Sequence, residues 1–167
     1  MILPYVHGPA ECLVWDPLAP EAASFVIGML GSLRVEHFGS SAVPGCAGKG
    51  VLDLLVLYPA GGLEQARASV DRLGFQRQGG RDPWPEDRPM RVGAIEYAGR
   101  LFRIHVHVLA ETAPEAGELI AFRDRLRTDP GFLSLYVSRK REILASGINE
   151  PIEYSHAKST FWCESSG

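Results

Sequence analysis

The chain lacks the features that announce the commonest functional classes. No apolar run approaches the ~18 residues a membrane span needs. The N-terminus has no basic stretch followed by a long apolar one, so no secretion signal is expected. Its cysteines, Cys12, Cys46 and Cys163, are far apart, odd in number and without C-x-x-C pairing. That argues against a disulfide framework or a zinc ribbon and makes a reducing cytoplasm the expected setting. Positive charge is not in excess: 17 Lys and Arg against 20 Asp and Glu leave a net charge of −3. A protein that coats nucleic acid is therefore not expected. The nucleophile elbow G-x-S-x-G is absent, and Gly48-Lys49-Gly50 lacks both the glycine spacing and the following Ser/Thr of a P-loop. What remains is ordinary for a globular protein, with 46% hydrophobic and 22% charged residues. At 167 residues, 1–167 is expected to be one domain with its own core.

The pattern predicts strands and helices in a definite order. A lead-in from Met1 to Asp16, with Pro4, Gly8 and Pro9, reads as irregular. Pro20–Leu30 reads as a helix opened by Pro-Glu. Leu33–Phe38 and Val51–Tyr58 read as strands, and VLDLLVLY, apolar on both faces, suits a central strand. Leu63, Ala66, Val70 and Leu73 keep helical spacing, with Gly74 placed to end that helix. Gly79–Pro89 reads as a polar surface loop. Met90–Tyr97 and Leu101–Leu109 form an expected hairpin around Ala98-Gly99. Helices follow near Pro114–Arg127, Pro130–Ala145 and Ile152–Cys163. Strands first and helices last indicate an α+β fold with a mixed sheet flanked by helices.

The most informative stretch is RVEHFGSSAVPGCAGKGVLDLLVLY, Arg34–Tyr58. A strand enters a turn containing Gly39, Ser40, Ser41, Gly45, Gly48, Lys49 and Gly50, and a second strand follows with a lone acid, Asp53. Glycines allow close backbone approach, and consecutive N–H groups can form an anion-binding concavity. Ser40, Ser41 and Lys49 add donors. A phosphate held beside an acid is the setting of metal-assisted phosphate chemistry. In the second half of the chain, Arg103, His105 and His107 share one face of a strand.

Val35-Glu36-His37-Phe38-Gly39-Ser40-Ser41-Ala42-Val43-Pro44-Gly45, then Lys49, then Leu52-Asp53-Leu54, resembles the signature of GrpB proteins. So do Ile104-His105-Val106-His107-Val108, Phe122-Arg123-Asp124, Tyr136 with Lys140, and Tyr154 with Ala157-Lys158. A similar domain is fused to some dephospho-CoA kinases. The resemblance implies the nucleotidyltransferase fold of DNA polymerase beta, with Gly39-Ser40 at the superfamily's Gly-Ser nucleotide motif. It also implies that a carboxylate should stand two residues after Asp53 to share two magnesium ions. That position is Leu55, and the strand expected to supply a third acid carries His105 and His107 instead.

Several readings stay open. Asp53 could be a catalytic, metal-ligating or ligand-contacting acid, or could fix the loop through its amides. Asp53, His105 and His107, with His37 as a third imidazole, could hold a divalent metal such as zinc, manganese or iron, and magnesium only where a ligand's phosphates complete the site. The histidines could equally be hydrogen-bonded residues of a cleft wall. Ser40 and Ser41 could contact phosphate or cap the turn. Arg123 could reach a phosphate or pair with an acid such as Glu96 or Glu118. Adjacent residues point apart on a helix, so Arg123 and Asp124 are expected to face different ways. Lys140, inside Arg139-Lys140-Arg141, reads as a solvated helix face, and Cys46 as a small loop residue. Lys158 would be a second phosphate contact, while Phe161 and Trp162 would anchor the last helix. Three functions remain: a nucleotidyltransferase-like protein that binds a nucleotide or other phosphorylated small molecule, a non-catalytic nucleotide or coenzyme-binding module, and a metal-dependent phosphohydrolase using Asp53, His105 and His107.

Overall fold

The computed structural model describes residues 1–8, 11–79 and 83–146. The helix expected near Ile152–Cys163, with Tyr154, Lys158, Phe161 and Trp162, lies outside the described residues.

Five strands form one sheet: β1 (Arg34–Phe38), β2 (Val51–Tyr58), β3 (Gln76–Arg77), β4 (Met90–Tyr97) and β5 (Arg100–Ala110), in the spatial order β1-β2-β5-β4-β3. The β2–β5 pair is parallel and the other pairs are antiparallel, so the sheet is mixed. The parallel pair needs a crossover, supplied by α2 (Leu63–Arg72) and the β3–β4 segment. Gly74, at φ +100, ends α2 as expected. The β4–β5 turn has both Ala98 (φ +49) and Gly99 (φ +74) in the left-handed region, the geometry that matches a two-residue hairpin to strand twist.

The two sheet faces divide the core. On one face, Leu52, Leu54, Val56, Ile104, Val106 and Val108 pack against α1 (Ala19–Met29) and α2, through residues such as Val26 and Val70. On the other, Phe38, Leu55, Leu57 and Leu109 meet Ala116, Leu119 and Ile120 of α3 (Pro114–Thr128). α4 (Pro130–Ala145) starts where Asp129 caps Phe132 N at 2.9 Å, with Pro130 in the first turn. α4 does not extend the layer on the sheet. Its Phe132 and Tyr136 join Leu126 of α3 and Val43 and Cys46 of the β1–β2 turn in a separate apolar cluster.

The two irregular segments carry anchoring contacts that the sequence does not announce. The N-terminal lead-in is tied down, with Leu3 bridging Ala94 and Leu13 bridging Gly48. The described part of the Gly79–Pro89 loop stays at the surface, with Gly79, Pro83, Pro85 and Asp87 exposed, and is anchored through the side chains of Glu86 and Trp84. Glu86 pairs with Arg67, Arg77 and the buried Arg91, while the Trp84 ring meets that of His107 at 5.3 Å. The bridges of the lead-in and the Trp84–His107 contact join residues distant in sequence, which local composition does not encode.

Candidate functional site

β1 ends at Phe38, and Gly39 reverses the chain at φ +71, ψ −170, into a single 3-10 turn over Ser40–Ala42. This is a conformation essentially confined to glycine. The lack of a side chain serves a second purpose, because a Cβ on Gly39 would lie 2.4 Å from Asp53 Oδ2. The turn therefore sits directly over the Asp53 carboxylate. Cations from two helices brace it. Lys140 Nζ donates to Ser40 Oγ at 2.9 Å and to the Ala47 carbonyl, Arg127 donates twice to the Ala42 carbonyl, and Arg123 donates to the His37 carbonyl. Trp15 Nε1 donates to the Ser41 carbonyl at 3.0 Å.

The strand register assembles the rest. Asp53 stands beside His105, and Leu55 beside His107. Side chains of neighbouring paired residues leave a sheet on the same face. The ligand atoms of Asp53, His105 and His107 all lie within 4.8 Å of one another. His105 Nδ1 is 3.5 Å from Asp53 Oδ1, and its Nε2 is 3.0 Å from Tyr5 Oη. The His107 ring is edged by Phe38 at 5.4 Å and by Trp84.

His37 is held elsewhere. It pairs with Leu54, so it leaves the sheet on the α1–α2 face, and its Nε2 is 3.0 Å from Ser41 Oγ. Burial pushes its pKa down to about 4, with Arg127 and Arg123 adding to the effect and Asp53 opposing it. The unfolded chain, with an ordinary His pKa near 6.5, then binds the proton more readily. Stability should be flat above about pH 6.5 and should fall as the pH drops from 6.5 toward 4, by on the order of 1.4 kcal/mol per unit at most. His37→Gln should remove that slope between about pH 6.5 and 5, above the carboxylate range, in urea titrations at stepped pH.

The other expected site residues sort as follows. Gly39, Ser40, Ser41 and the half-buried Lys49 all belong to the β1–β2 connection. Ser41 is buried, its hydroxyl against His37. Arg123 is buried in an ion-pair network with Glu36 at 2.9 Å and Asp124 at 2.8 Å, rather than with Glu96 or Glu118. The expectation that Arg123 and Asp124 face apart is corrected, because the long guanidinium swings back to its neighbour. Lys140 is corrected more sharply. It is 1% exposed, with Nζ 3.4 Å from Cys46 Sγ and 4.4 Å from the centre of the Tyr136 ring. The signal was available: Phe132, Tyr136, Lys140 and Ile143 form the buried stripe of α4, at helical spacing. Tyr5 and Trp84 were missed because they lie in segments with no periodicity.

A family model for GrpB proteins matches residues 14–165. The chain belongs to the GrpB family. It is 34% identical over 145 residues to a UPF0157 protein of Pseudomonas aeruginosa, covering 80% of this chain and 56% of that one. It is 32% identical over 125 residues to a UPF0157 protein of Streptomyces coelicolor, covering 75% and 62%. The chain thus spans less than two thirds of the length of each of these relatives. Among solved structures, GrpB from Enterococcus faecalis superposes with a TM-score of 0.62 at 22% identity, over 91% of this chain and 99% of that one. The Cid1 poly(U) polymerase, solved with MgATP, superposes at 0.56 and 12% identity, over 83% and 46%. The fold of this GrpB protein is that of the nucleotidyltransferases. Its residues do not fit a pair of magnesium ions, however. Leu55, where a second carboxylate would stand, is fully buried among Phe38, Leu57, Leu109 and Ala116, and imidazoles replace oxygen ligands on β5.

Proposed function

We propose that this GrpB protein binds a nucleotide or another phosphorylated small molecule at the Gly39–Ser40 turn, with Asp53 beside the phosphates. The observation that carries this reading is the seating of Gly39 directly over Asp53 Oδ2, within a nucleotidyltransferase-type fold. Ser40 is the hydroxyl best suited to the ligand. Its oxygen accepts from Lys140 and it also hydrogen-bonds Tyr136, so a phosphate oxygen would compete with Tyr136 for its proton. Lys49 adds positive charge from the same connection. Arg123 has its charge matched by Glu36 and Asp124 and is not counted among the ligand contacts. The net charge of −3 favours a small acceptor over a nucleic acid.

Two readings of the chemistry follow. Nucleotidyl transfer is the reaction class the fold suggests. The replacement of the second carboxylate by a core leucine favours a binding module in which transfer has been lost. A thermal-shift screen with nucleoside triphosphates, coenzyme A precursors and inorganic phosphate tests the shared claim. A ligand at 100 times its dissociation constant should add about 2.7 kcal/mol of stability. Ser40→Ala should reduce that shift, and Asp53→Ala should reduce it where a divalent ion bridges the carboxylate to the phosphates. Failure of every phosphorylated compound to raise the melting temperature contradicts the proposal. Release of pyrophosphate from a binding triphosphate then separates the enzyme from the binding module.

A further inference from the structure

We propose that Asp53, His105 and His107 form a site for one nitrogen-preferring divalent metal ion, zinc or a borderline transition metal, in place of paired magnesium. Three ligand atoms within 4.8 Å of one another, two of them imidazole nitrogens, suit such an ion and not magnesium, which demands oxygen. The separation of His105 Nδ1 from Asp53 Oδ1, 3.5 Å, is at the outer limit of a hydrogen bond. It is close to the roughly 3.4 Å that separates two ligands on a tetrahedral ion with bonds of about 2.0–2.1 Å.

The surroundings agree with that assignment. Tyr5 Oη lies at His105 Nε2, so with the proton on Nε2 the ring donates to Tyr5 and turns the Nδ1 lone pair toward Asp53. This is the outer support that a metal-bound imidazole requires. His107 is fixed by the Phe38 and Trp84 rings. Three protein ligands leave a coordination position open, as in catalytic rather than structural zinc sites. The Asp53 and His105 side chains remain about a quarter exposed, at 27% and 26%, so that position can be reached from outside. The metal site stands on these residues alone. Only the assignment of the fourth ligand, a phosphate oxygen, rests on the reading given above.

The test uses the full chain, freed of any histidine tag and stripped with a chelator, then titrated with cobalt(II). Visible ligand-field bands should saturate at one equivalent, should be abolished by zinc and should persist in a large excess of magnesium. Tyr5→Phe should weaken binding by about tenfold, and His105→Gln and His107→Gln, which each remove a ligand, by more than that. X-ray absorption of the zinc-loaded wild-type chain should count two imidazoles, a readout that needs no variant to fold. Absence of stoichiometric uptake, displacement by magnesium, sulfur ligation at Cys12 or Cys46, or a spectrum without imidazole overturns the proposal. Repeating the nucleotide thermal shift in chelator keeps the two claims apart. A shift that survives without metal uptake leaves phosphate binding intact and removes only the metal site.

Discussion

Gly39→Ala is expected to destabilise the protein by about 3–5 kcal/mol and to abolish ligand binding. Two independent costs add. At φ +71 and ψ −170 the residue occupies a region that non-glycine residues enter at about 1–3 kcal/mol. The new Cβ would also stand 2.4 Å from Asp53 Oδ2 and 3.1 Å from its Cβ and Cγ. The obstacle is a short side chain on a central strand, not the tip of a flexible one, so relief requires either turn or strand to shift. Either movement separates the turn from Asp53. Gly45→Ala is the control. Gly45 also has a positive φ, +78, but nothing within 4 Å of an added Cβ, so only backbone strain of about 1–2 kcal/mol should appear. Urea midpoints at unchanged m value measure both. Equal losses for the two variants would mean that Gly39 and Asp53 do not meet as described.

The parts of this fold that are legible in sequence are those set by short-range periodicity. VLDLLVLY reads as a central strand because both of its faces are apolar, and it is paired on both sides. The alternation in Arg103–Leu109 places Arg103, His105 and His107 on one face whatever the strand pairs with, and the β2–β5 register then brings the histidines to Asp53. The same period-two rule separates His37 from Asp53. Its reading as a third imidazole followed nearness along the chain, whereas the pairing with Leu54 turns it to the other face. Tyr5 reaches His105 across 100 positions, and Trp84 reaches His107 from a loop whose composition suggests solvent. Contacts of that span are decided by which segments cross the face of the central strand β5, and no local pattern records them. Lys140 is an intermediate case. Its charge and its basic neighbours suggest solvent, while its position on the stripe of Phe132, Tyr136 and Ile143 suggests burial, and packing decides for the stripe.

That burial makes Lys140 the second residue whose loss should be severe. Lys140→Met is expected to cost about 2–3 kcal/mol, and Lys140→Ala about 3–5 kcal/mol once the cavity is included. An ammonium at 1% exposure is tolerable only when its N–H groups are met. Here Ser40 Oγ, the Ala47 carbonyl and Cys46 Sγ receive them, and the Tyr136 ring adds a cation–π contact. Methionine keeps the stem and removes the charge, so some desolvation cost disappears. The acceptors stay behind without their donor, however, at about 1–3 kcal/mol for each that water cannot reach. The bonds run from α4 to both ends of the glycine-rich connection, at Ser40 and Ala47, so their loss should loosen that connection first. Hydrogen exchange should accelerate at the amides of Ala42–Gly48 in Lys140→Met, while those of β2 keep their protection. A Lys140→Met protein with wild-type stability and unchanged exchange in this turn would show that the ammonium does not hold the connection over Asp53.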